Sequence, residues 1–186
     1  DQVMAVPEGV QSWGKHEEDW ARAYGFFGLA LPAERVQLLR QRRKLSLPYF
    51  NAGMVSFPVV RSSGERARFA AAWLDTARRF DHCAIANKRP WLDQITLPLT
   101  LYRHGFSWAA LPKTFNYSAS NLAQFAGAKK AHLLHYHQGP HLARVPRQRD
   151  RALRAALSRL PAEAHAALLR FLETNLALGL HPAKAA

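Results

Sequence analysis

Histidine is concentrated in one short stretch of this sequence, and histidine readily binds divalent transition metals. Four of the nine histidines fall within ten residues, at His132, His135, His137 and His141. In an extended strand, His135 and His137 lie on one face and His132 lies on the other. The cluster predicts a metal site on a strand, with a purely structural role as the alternative for any single histidine.

Asn51 and Gly53 lie in a segment whose aromatic and β-branched residues favour a buried strand over positions 49–57. An asparagine amide offers both donors and an acceptor to the hydroxyl groups of a ligand, and a glycine lets a ligand approach the backbone closely. This pattern predicts a ligand-binding strand at Asn51, Ala52 and Gly53. The alternative is an ordinary buried strand in which Gly53 forms a bulge.

A carboxylate and a carboxamide, Asp93 and Gln94, open a helix predicted over positions 91–104. Both side chains can hydrogen-bond to hydroxyl groups. The simpler explanation for Asp93 is that an acidic residue in the first turn complements the helix dipole. A role in binding or catalysis is the second explanation, and the residues alone leave both open.

Four segments, taken in order, resemble the second half of the GT-A glycosyltransferases, in particular the retaining enzymes of the glycogenin and lipopolysaccharide galactosyltransferase type. Those enzymes carry a Phe-Asn-small-Gly strand, an Asp-Gln pair that opens a helix, a Leu-Pro…Asn-Tyr segment, and a late histidine followed by an aromatic residue and a glycine. The matching segments of this chain are 49–54, 92–95, 111–117 and 134–140.

The resemblance implies a metal-dependent, retaining glycosyltransferase that moves a hexose from a nucleotide-diphosphate donor, a UDP-sugar, to a glycan or lipid-linked acceptor. It implies that Asn51, Ala52 and Gly53 bind the donor sugar. It also implies a catalytic position for the Asp-Gln pair: Asp93 binds donor-sugar hydroxyls, and the Gln94 side chain lies near the reacting carbon.

The late histidine of the resembled enzymes binds Mn²⁺ or Mg²⁺ together with two upstream aspartates, and by position this residue is His135. The same resemblance places Gly139, His137 and His141 at the donor diphosphate. One departure concerns this phosphate contact, since the glycine comes four residues after the histidine instead of three and no lysine follows closely. His141 or Arg144 would have to replace that lysine.

The Asp-x-Asp metal motif does not occur anywhere in the sequence. In the resembled enzymes this motif lies before the segment that residues 3–7 match. We therefore expect the chain to be part of a longer protein whose upstream half supplies the nucleotide-binding strands. By itself, the chain is expected to bind donor weakly and to be inactive.

Strands that alternate with helices predict an α/β fold, here a GT-A-like mixed sheet without its upstream half, followed by a helical segment. The predicted domains are a catalytic part over 1–145 and a helical appendage over 146–186. The predicted strands span 2–6, 49–57, 106–112, 115–117 and 131–137. The predicted helices span 33–44, 63–79 and 91–104, with two more between 147 and 179, separated at Pro161.

The net charge is +13, from 26 Lys and Arg against 13 Asp and Glu. Such an excess attracts polyanions or an anionic membrane surface, and the arginine-rich stretch 144–154 is the candidate contact. A nucleic acid partner is disfavoured because no helix-turn-helix, RNA-recognition or zinc-finger signature is present. A non-catalytic relative of the glycosyltransferases, or a basic module that binds polyanions or nucleic acid, is the alternative function.

The single cysteine, Cys83, cannot form a disulfide within the chain. This composition suits a reducing compartment. No apolar run reaches the ~20 residues that a membrane-spanning helix requires. We therefore expect a cytoplasmic protein, with a peripheral position at the inner face of the membrane as a possibility that the basic charge allows.

Overall fold

The computed structural model describes residues 2–41, 45–60, 68–118, 132–135 and 161–176. The chain divides into two compact units, Asp1–Asn116 and Tyr117–Ala186. The domain boundary predicted at 145/146 lies outside the described residues. No helix in the described part of the chain is both long enough and apolar enough to cross a bilayer.

The first unit contains the main sheet and three α-helices. In chain order its elements are β1 (Val3–Pro7), α1 (Glu17–Gly25), β2 (Val36–Gln37), β3 (Leu45–Ser46), β4 (Phe50–Ser56), α2 (Phe69–Asp81), α3 (Leu92–Arg103) and β5 (Trp108–Ala110). Short 3-10 helices span Arg89–Trp91 and Lys113–Phe115. The described part of the second unit contains β6 (Tyr117–Ser118), β7 (Leu134–His135) and α4 (Ala162–Leu176), with β6 and β7 paired in parallel.

Strand β1 is the centre of a three-stranded sheet. It runs antiparallel to β4 on one side and parallel to β5 on the other. A parallel pair requires a crossover connection, and helices α2 and α3 lie between β4 and β5 in the sequence. The predicted mixed α/β fold is confirmed.

Helix α3 is buried on all sides between Ile95 and Leu101. A helix that is apolar around its whole circumference belongs in the interior. Its two central threonines satisfy their hydroxyls inside the helix: Thr96 donates to the carbonyl of Leu92 at 2.7 Å, and Thr100 to that of Thr96 at 2.7 Å. The first turn of α3, which carries Asp93 and Gln94, is therefore supported by a rigid core.

Arg103, at the end of α3, joins this helix to α2. Its guanidinium Nη1 lies 2.6 Å from Asp75 Oδ2 and donates to Thr76 Oγ1 at 3.1 Å. The hydrogen bond from Arg103 lowers the pKa of the Asp75 carboxyl. The same guanidinium lies 4.9 Å from the ring centroid of Phe27, within reach of a cation–π interaction.

The helix predicted over 33–44 is wrong for the described residues 33–41. Val36 and Leu38 are buried and Gln37 and Leu39 are exposed, which is the alternation of a strand. Backbone hydrogen bonds from Leu39 to Glu8 and from Arg40 to Gly9 hold the segment extended. Pro32 suggested a helix start and the basic residues up to Lys44 suggested a helix end, but these long-range contacts override local propensity.

No helix was delimited over residues 17–25, although the acidic group at Glu17, Glu18 and Asp19 indicated either solvated surface or a helix start, and the structure has it as the first turn of α1. The predicted helices that end near Arg79 and His104 are confirmed as α2 and α3, and α4 confirms the helix after Pro161. The start predicted for α2 at position 63 lies outside the described residues. Pro98 does not interrupt α3, which continues through it.

Candidate functional site

Glu8 follows the last residue of β1 and is fixed by its backbone on two sides. Its N–H donates to the carbonyl of Tyr49 at 3.0 Å, and its carbonyl accepts from the N–H of Leu39 at 3.0 Å. These two bonds hold the Glu8 backbone in place at the end of the central strand, and the half-buried side chain extends from this fixed position.

Three N–H groups converge on the Glu8 carboxylate. The backbone of Gly9 donates to Oε1 at 2.7 Å, while Asn51 Nδ2 and Gln94 Nε2 donate to Oε2 at 3.0 Å and 3.1 Å. A carboxylate can accept about four hydrogen bonds. The Glu8 carboxylate thus retains acceptor capacity for one further donor, such as a ligand hydroxyl.

Asn51 is placed by a bulge in β4. Ala5 pairs with Val55 but Val6 pairs with Asn51, so the residues between Asn51 and Val55 bulge out of the ladder with β1. The Asn51 Oδ1 accepts from the backbone N–H of Gly53 at 3.0 Å and from Asn116 Nδ2 at 2.7 Å. Both contacts orient the amide so that its nitrogen points at Glu8.

Gln94 is oriented in the same way by Tyr49. The Tyr49 hydroxyl donates to Gln94 Oε1 at 2.6 Å. Burial, followed by the negative charge of Glu8, raises the pKa of Tyr49, so the hydroxyl remains a proton donor. Hydrogen bonds therefore run from Tyr49 through Gln94 and from Asn116 through Asn51, and both series end on Glu8.

Burial raises the pKa of the Glu8 carboxyl above its ordinary value of 4.5. The hydrogen bonds from Gly9, Asn51 and Gln94 oppose this effect, and the negative charge of Asp93 adds to it. A carboxyl in this setting both accepts hydrogen bonds from hydroxyls and takes up a proton more readily than an exposed glutamate. We call Glu8, Tyr49, Asn51, Gln94 and Asn116 the Glu8 cluster.

The structure brings several of the sequence-predicted site residues together. Asn51 and Gln94 are both hydrogen-bonded to Glu8 Oε2, and Ala52 and Gly53 form the bulge next to Asn51. Asp93 is exposed, and its Oδ1 accepts from the backbone N–H of Gln94 at 2.8 Å. The role of each residue in binding or catalysis stays a prediction.

The predicted metal and diphosphate contacts belong to the second unit. His135 lies on β7, while Gly139, His137 and His141 lie outside the described residues. Over the described part of the chain, no three His, Cys, Asp or Glu side chains form a group that could bind a metal ion. The described residues therefore do not supply a complete ligand set for Mn²⁺ or Mg²⁺.

Sequence reasoning missed Glu8 altogether and did not single out Tyr49 or Asn116 as site residues. One signal for Glu8 was available, because a carboxylate directly after an apolar run that ends at Pro7 stands at the end of a strand. Ends of strands are common positions for binding groups in α/β folds. Asn116 lies in the Leu-Pro…Asn-Tyr segment, and its role depends on contact with Asn51.

A family model described as the Rhodobacterales glycosyltransferase domain matches residues 1–105. The matched region runs from β1 to the end of α3 and includes Glu8, Asn51 and Gln94, whereas Asn116 and His135 lie beyond it. No curated protein and no solved structure matches the chain.

Proposed function

We propose, because this chain belongs to the Rhodobacterales glycosyltransferase domain family, that the Glu8 cluster is the sugar-binding part of a glycosyltransferase active site. The finer proposal is that a hexose moves from a nucleotide-diphosphate donor, a UDP-sugar, to a glycan or lipid-linked acceptor. Retention of configuration and a GT-A-like architecture belong to the same proposal and depend on the resemblance of the four segments.

The observation that carries the proposal is the convergence of two oriented amides on one half-buried carboxylate within the matched region. A sugar hydroxyl needs an acceptor for its hydrogen and a donor for its oxygen. Glu8 has acceptor capacity left, and the half-buried Gln94 amide has a second N–H besides the one bonded to Glu8. The cluster therefore presents both kinds of partner to one sugar ring.

In this proposal, Glu8 accepts a hydrogen bond from a donor-sugar hydroxyl and holds the ring in one orientation. Asn51 and the Gly53 bulge contact the same ring, and Gln94 lies beside the reacting carbon. During transfer the bond from that carbon to the diphosphate oxygen breaks with its electron pair going to the diphosphate, the acceptor hydroxyl oxygen bonds to the carbon, and the hydroxyl proton passes to the released diphosphate. Residues already fixed by hydrogen bonds lower the barrier to this exchange by holding the ring in place.

Binding of nucleotide sugars tests the proposal directly. Saturation-transfer difference NMR with UDP-glucose and UDP-galactose is expected to show contacts to the sugar-ring protons in the wild-type chain. We expect Glu8→Gln to weaken this binding roughly tenfold or more, because a hydrogen bond to a charged acceptor is lost. Arg22→Ala, on the exposed face of α1, is the matched control and should bind as the wild type does.

Wild-type affinity of Glu8→Gln for both UDP-sugars, in a variant with an unchanged far-UV spectrum, would contradict the placement of donor sugar at the cluster. We further propose that Mn²⁺ or Mg²⁺ binds at His135, the metal ligand that the resemblance of the four segments assigns to this chain. It is tested separately by comparing the Mn²⁺ dependence of the UDP signals in the wild type and in His135→Ala.

The net charge of +13 favours one other function, a non-catalytic module that binds polyanions or nucleic acid. Such a module would bind an unspecific oligonucleotide with an affinity that falls steeply with salt, because counterions are released on binding. That behaviour, together with no response to either UDP-sugar, would favour the module over the transferase.

A further inference from the structure

Helices α2 and α3, together with the 3-10 helix that precedes α3, border an open cleft of about 460 Å³. Its walls are formed by an indole, two aliphatic side chains, a hydroxyl and two charged groups: Trp73, Ala77, Leu92, Thr96, Arg89 and Asp93. The volume falls within the range of about 300–1,000 Å³ found for small-molecule sites. Arg89 and Asp93 are exposed, so the cleft is reached from solvent at their side.

The indole of Trp73 is held in one position and offers a carbon surface to the cleft. Its Nε1 donates to Thr96 Oγ1 at 3.0 Å, so the polar group of the indole is already satisfied. The ring also packs on the buried Phe69, with centroids 5.7 Å apart. A fixed, partly exposed aromatic ring beside polar groups suits the apolar C–H face of a sugar.

The charged groups at the cleft favour a neutral ligand. Arg89 Nε lies 3.0 Å from Asp81 Oδ1, and Arg89 Nη2 donates to Asp81 Oδ2 at 3.1 Å, so one aspartate neutralises the guanidinium and orients it. Asp93 adds a second negative charge against a single positive one. A phosphate or carboxylate would meet this excess of negative charge, whereas uncharged hydroxyls can bond to both Arg89 and Asp93.

The cleft and the Glu8 cluster share one turn of α3. Asp93 lines the cleft, and the next residue, Gln94, donates to Glu8 Oε2. The negative charge of Asp93 also contributes to the raised pKa of the Glu8 carboxyl, so the two groups lie within electrostatic range of each other. A ligand in the cleft and a sugar at Glu8 would therefore be neighbours.

We propose that this cleft is the acceptor subsite, and that it binds a neutral sugar ring stacked on Trp73, with hydroxyls bonded to Arg89 and Asp93. This inference depends on the proposed transferase function, because it takes the sugar at Glu8 to be the donor. Asp93 then stands between donor and acceptor, which is the position required of a residue near the reacting centre.

The test uses simple glycosides as probes: methyl β-D-glucopyranoside, methyl β-D-galactopyranoside and the anionic methyl β-D-glucuronide. The chain carries ¹⁵N-labelled tryptophan, and Trp73→Phe identifies the indole signal of Trp73. We expect the neutral glycosides to shift that signal at millimolar concentration and the glucuronide to bind more weakly. Arg89→Ala should weaken the binding of neutral glycosides roughly tenfold, as expected from one lost charge-assisted hydrogen bond.

Arg78→Ala serves as the matched control, because it removes an exposed arginine of α2 that does not line the cleft. An unshifted Trp73 signal with every glycoside, or equal binding by Arg89→Ala and the wild type, would overturn the proposal. Tighter binding of the glucuronide than of the neutral glycosides would overturn the assignment of a neutral ring.

The failure of this inference can be told apart from failure of the transferase proposal. UDP-sugar contacts that depend on Glu8, without any glycoside effect on Trp73, would leave the donor site standing and remove the acceptor subsite. Glycoside binding at Trp73 in a chain that does not bind UDP-sugars would establish a sugar site and contradict its role as an acceptor subsite.

Discussion

The Glu8 cluster shares Tyr49 with an aromatic cluster that consists of Trp13, Trp20, Tyr24 and Tyr49. The two clusters differ in chemistry, since one is polar and the other is mainly apolar. Trp13, Trp20 and Tyr24 are buried apolar rings, and Trp20 meets Trp13 and Tyr49 edge to face at centroid distances of 5.0 Å and 5.7 Å. The Glu8 cluster instead collects amides around a half-buried carboxylate.

This difference indicates that the aromatic cluster mainly stabilises the fold, whereas the Glu8 cluster mainly serves ligand binding. Burial of large rings is the main favourable term in folding, whereas an exchange of water for protein hydrogen bonds contributes only about 0.5–1.5 kcal/mol per bond. The half-buried carboxylate gains little stability from its partners, because burial opposes its charged form. Substitution of Trp20 in the aromatic cluster should therefore mainly change folding, and substitution of Glu8 should mainly change ligand binding.

The largest effect is expected for Trp20→Ala. Trp20 is 1% exposed, and its Nε1 donates to the carbonyl of Gly14 at 3.0 Å. Removal of a buried tryptophan costs about 3–5 kcal/mol of unfolding free energy, from lost burial and the remaining cavity. Urea unfolding followed by circular dichroism measures this loss, and a change below about 1 kcal/mol would break the comparison, since it lies far under this range.

An intermediate effect, and one that depends on pH, is expected for Glu8→Gln. In the wild type the raised pKa means that the folded chain binds a proton more tightly than the unfolded chain does. The stability from this proton is present below the ordinary pKa of 4.5 and is lost as pH rises through the raised folded value. Glu8→Gln removes this titration.

Urea titrations between the ordinary carboxyl pKa and neutral pH measure the effect. The wild type should lose stability relative to Glu8→Gln as pH rises, while at neutral pH the two should differ by only about 1 kcal/mol, the size of one hydrogen bond. Parallel curves of unfolding free energy against pH for the two proteins would mean that the pKa of Glu8 is not raised in the folded chain. The proposed difference between a polar, titrating cluster and an apolar one would then lose its support.

The smallest effect is expected for Arg22→Ala, outside both clusters. Arg22 Nη2 lies 2.8 Å from Asp19 Oδ1, with 66% of the arginine side chain exposed. Exposed ion pairs of this kind contribute about 0–1 kcal/mol and are screened by salt. A loss of unfolding free energy larger than about 1 kcal/mol would show that an exposed ion pair contributes more to stability here than such pairs usually do.

The sequence predicted the elements that carry their own local pattern. Helix α3 and strand β4 were foreseen because Leu92–Arg103 and Phe50–Ser56 are apolar runs of helical and strand character, each with recognisable ends. The segment around Val36 was misjudged because its extended form is imposed by hydrogen bonds to Glu8 and Gly9. Local residue types do not encode those distant bonds.

The same reason explains what was missed at the site. Asn51 and Gln94 were chosen from residue types and resemblance, but Glu8 lies 43 and 86 residues away from them in sequence. Only the antiparallel pairing of β1 with β4 and the packing of α3 bring the three side chains together. Glu8 can be recognised as the common hydrogen-bond acceptor of the site only when the positions of Asn51 and Gln94 in the fold are known.

The adjacency of Asp93 and Gln94 has one more consequence. Successive residues of an α-helix project about 100° apart, so neighbours on one turn of α3 serve two different surfaces. Because α3 is buried from Ile95 to Leu101, its first turn moves together with the rest of the helix. Any rotation of α3 therefore displaces the side chains of Asp93 and Gln94 at the same time. A ligand that rotates α3 when it binds in the cleft would therefore change the affinity of the Glu8 cluster, and a ligand at the cluster would then change the affinity of the cleft by the same factor.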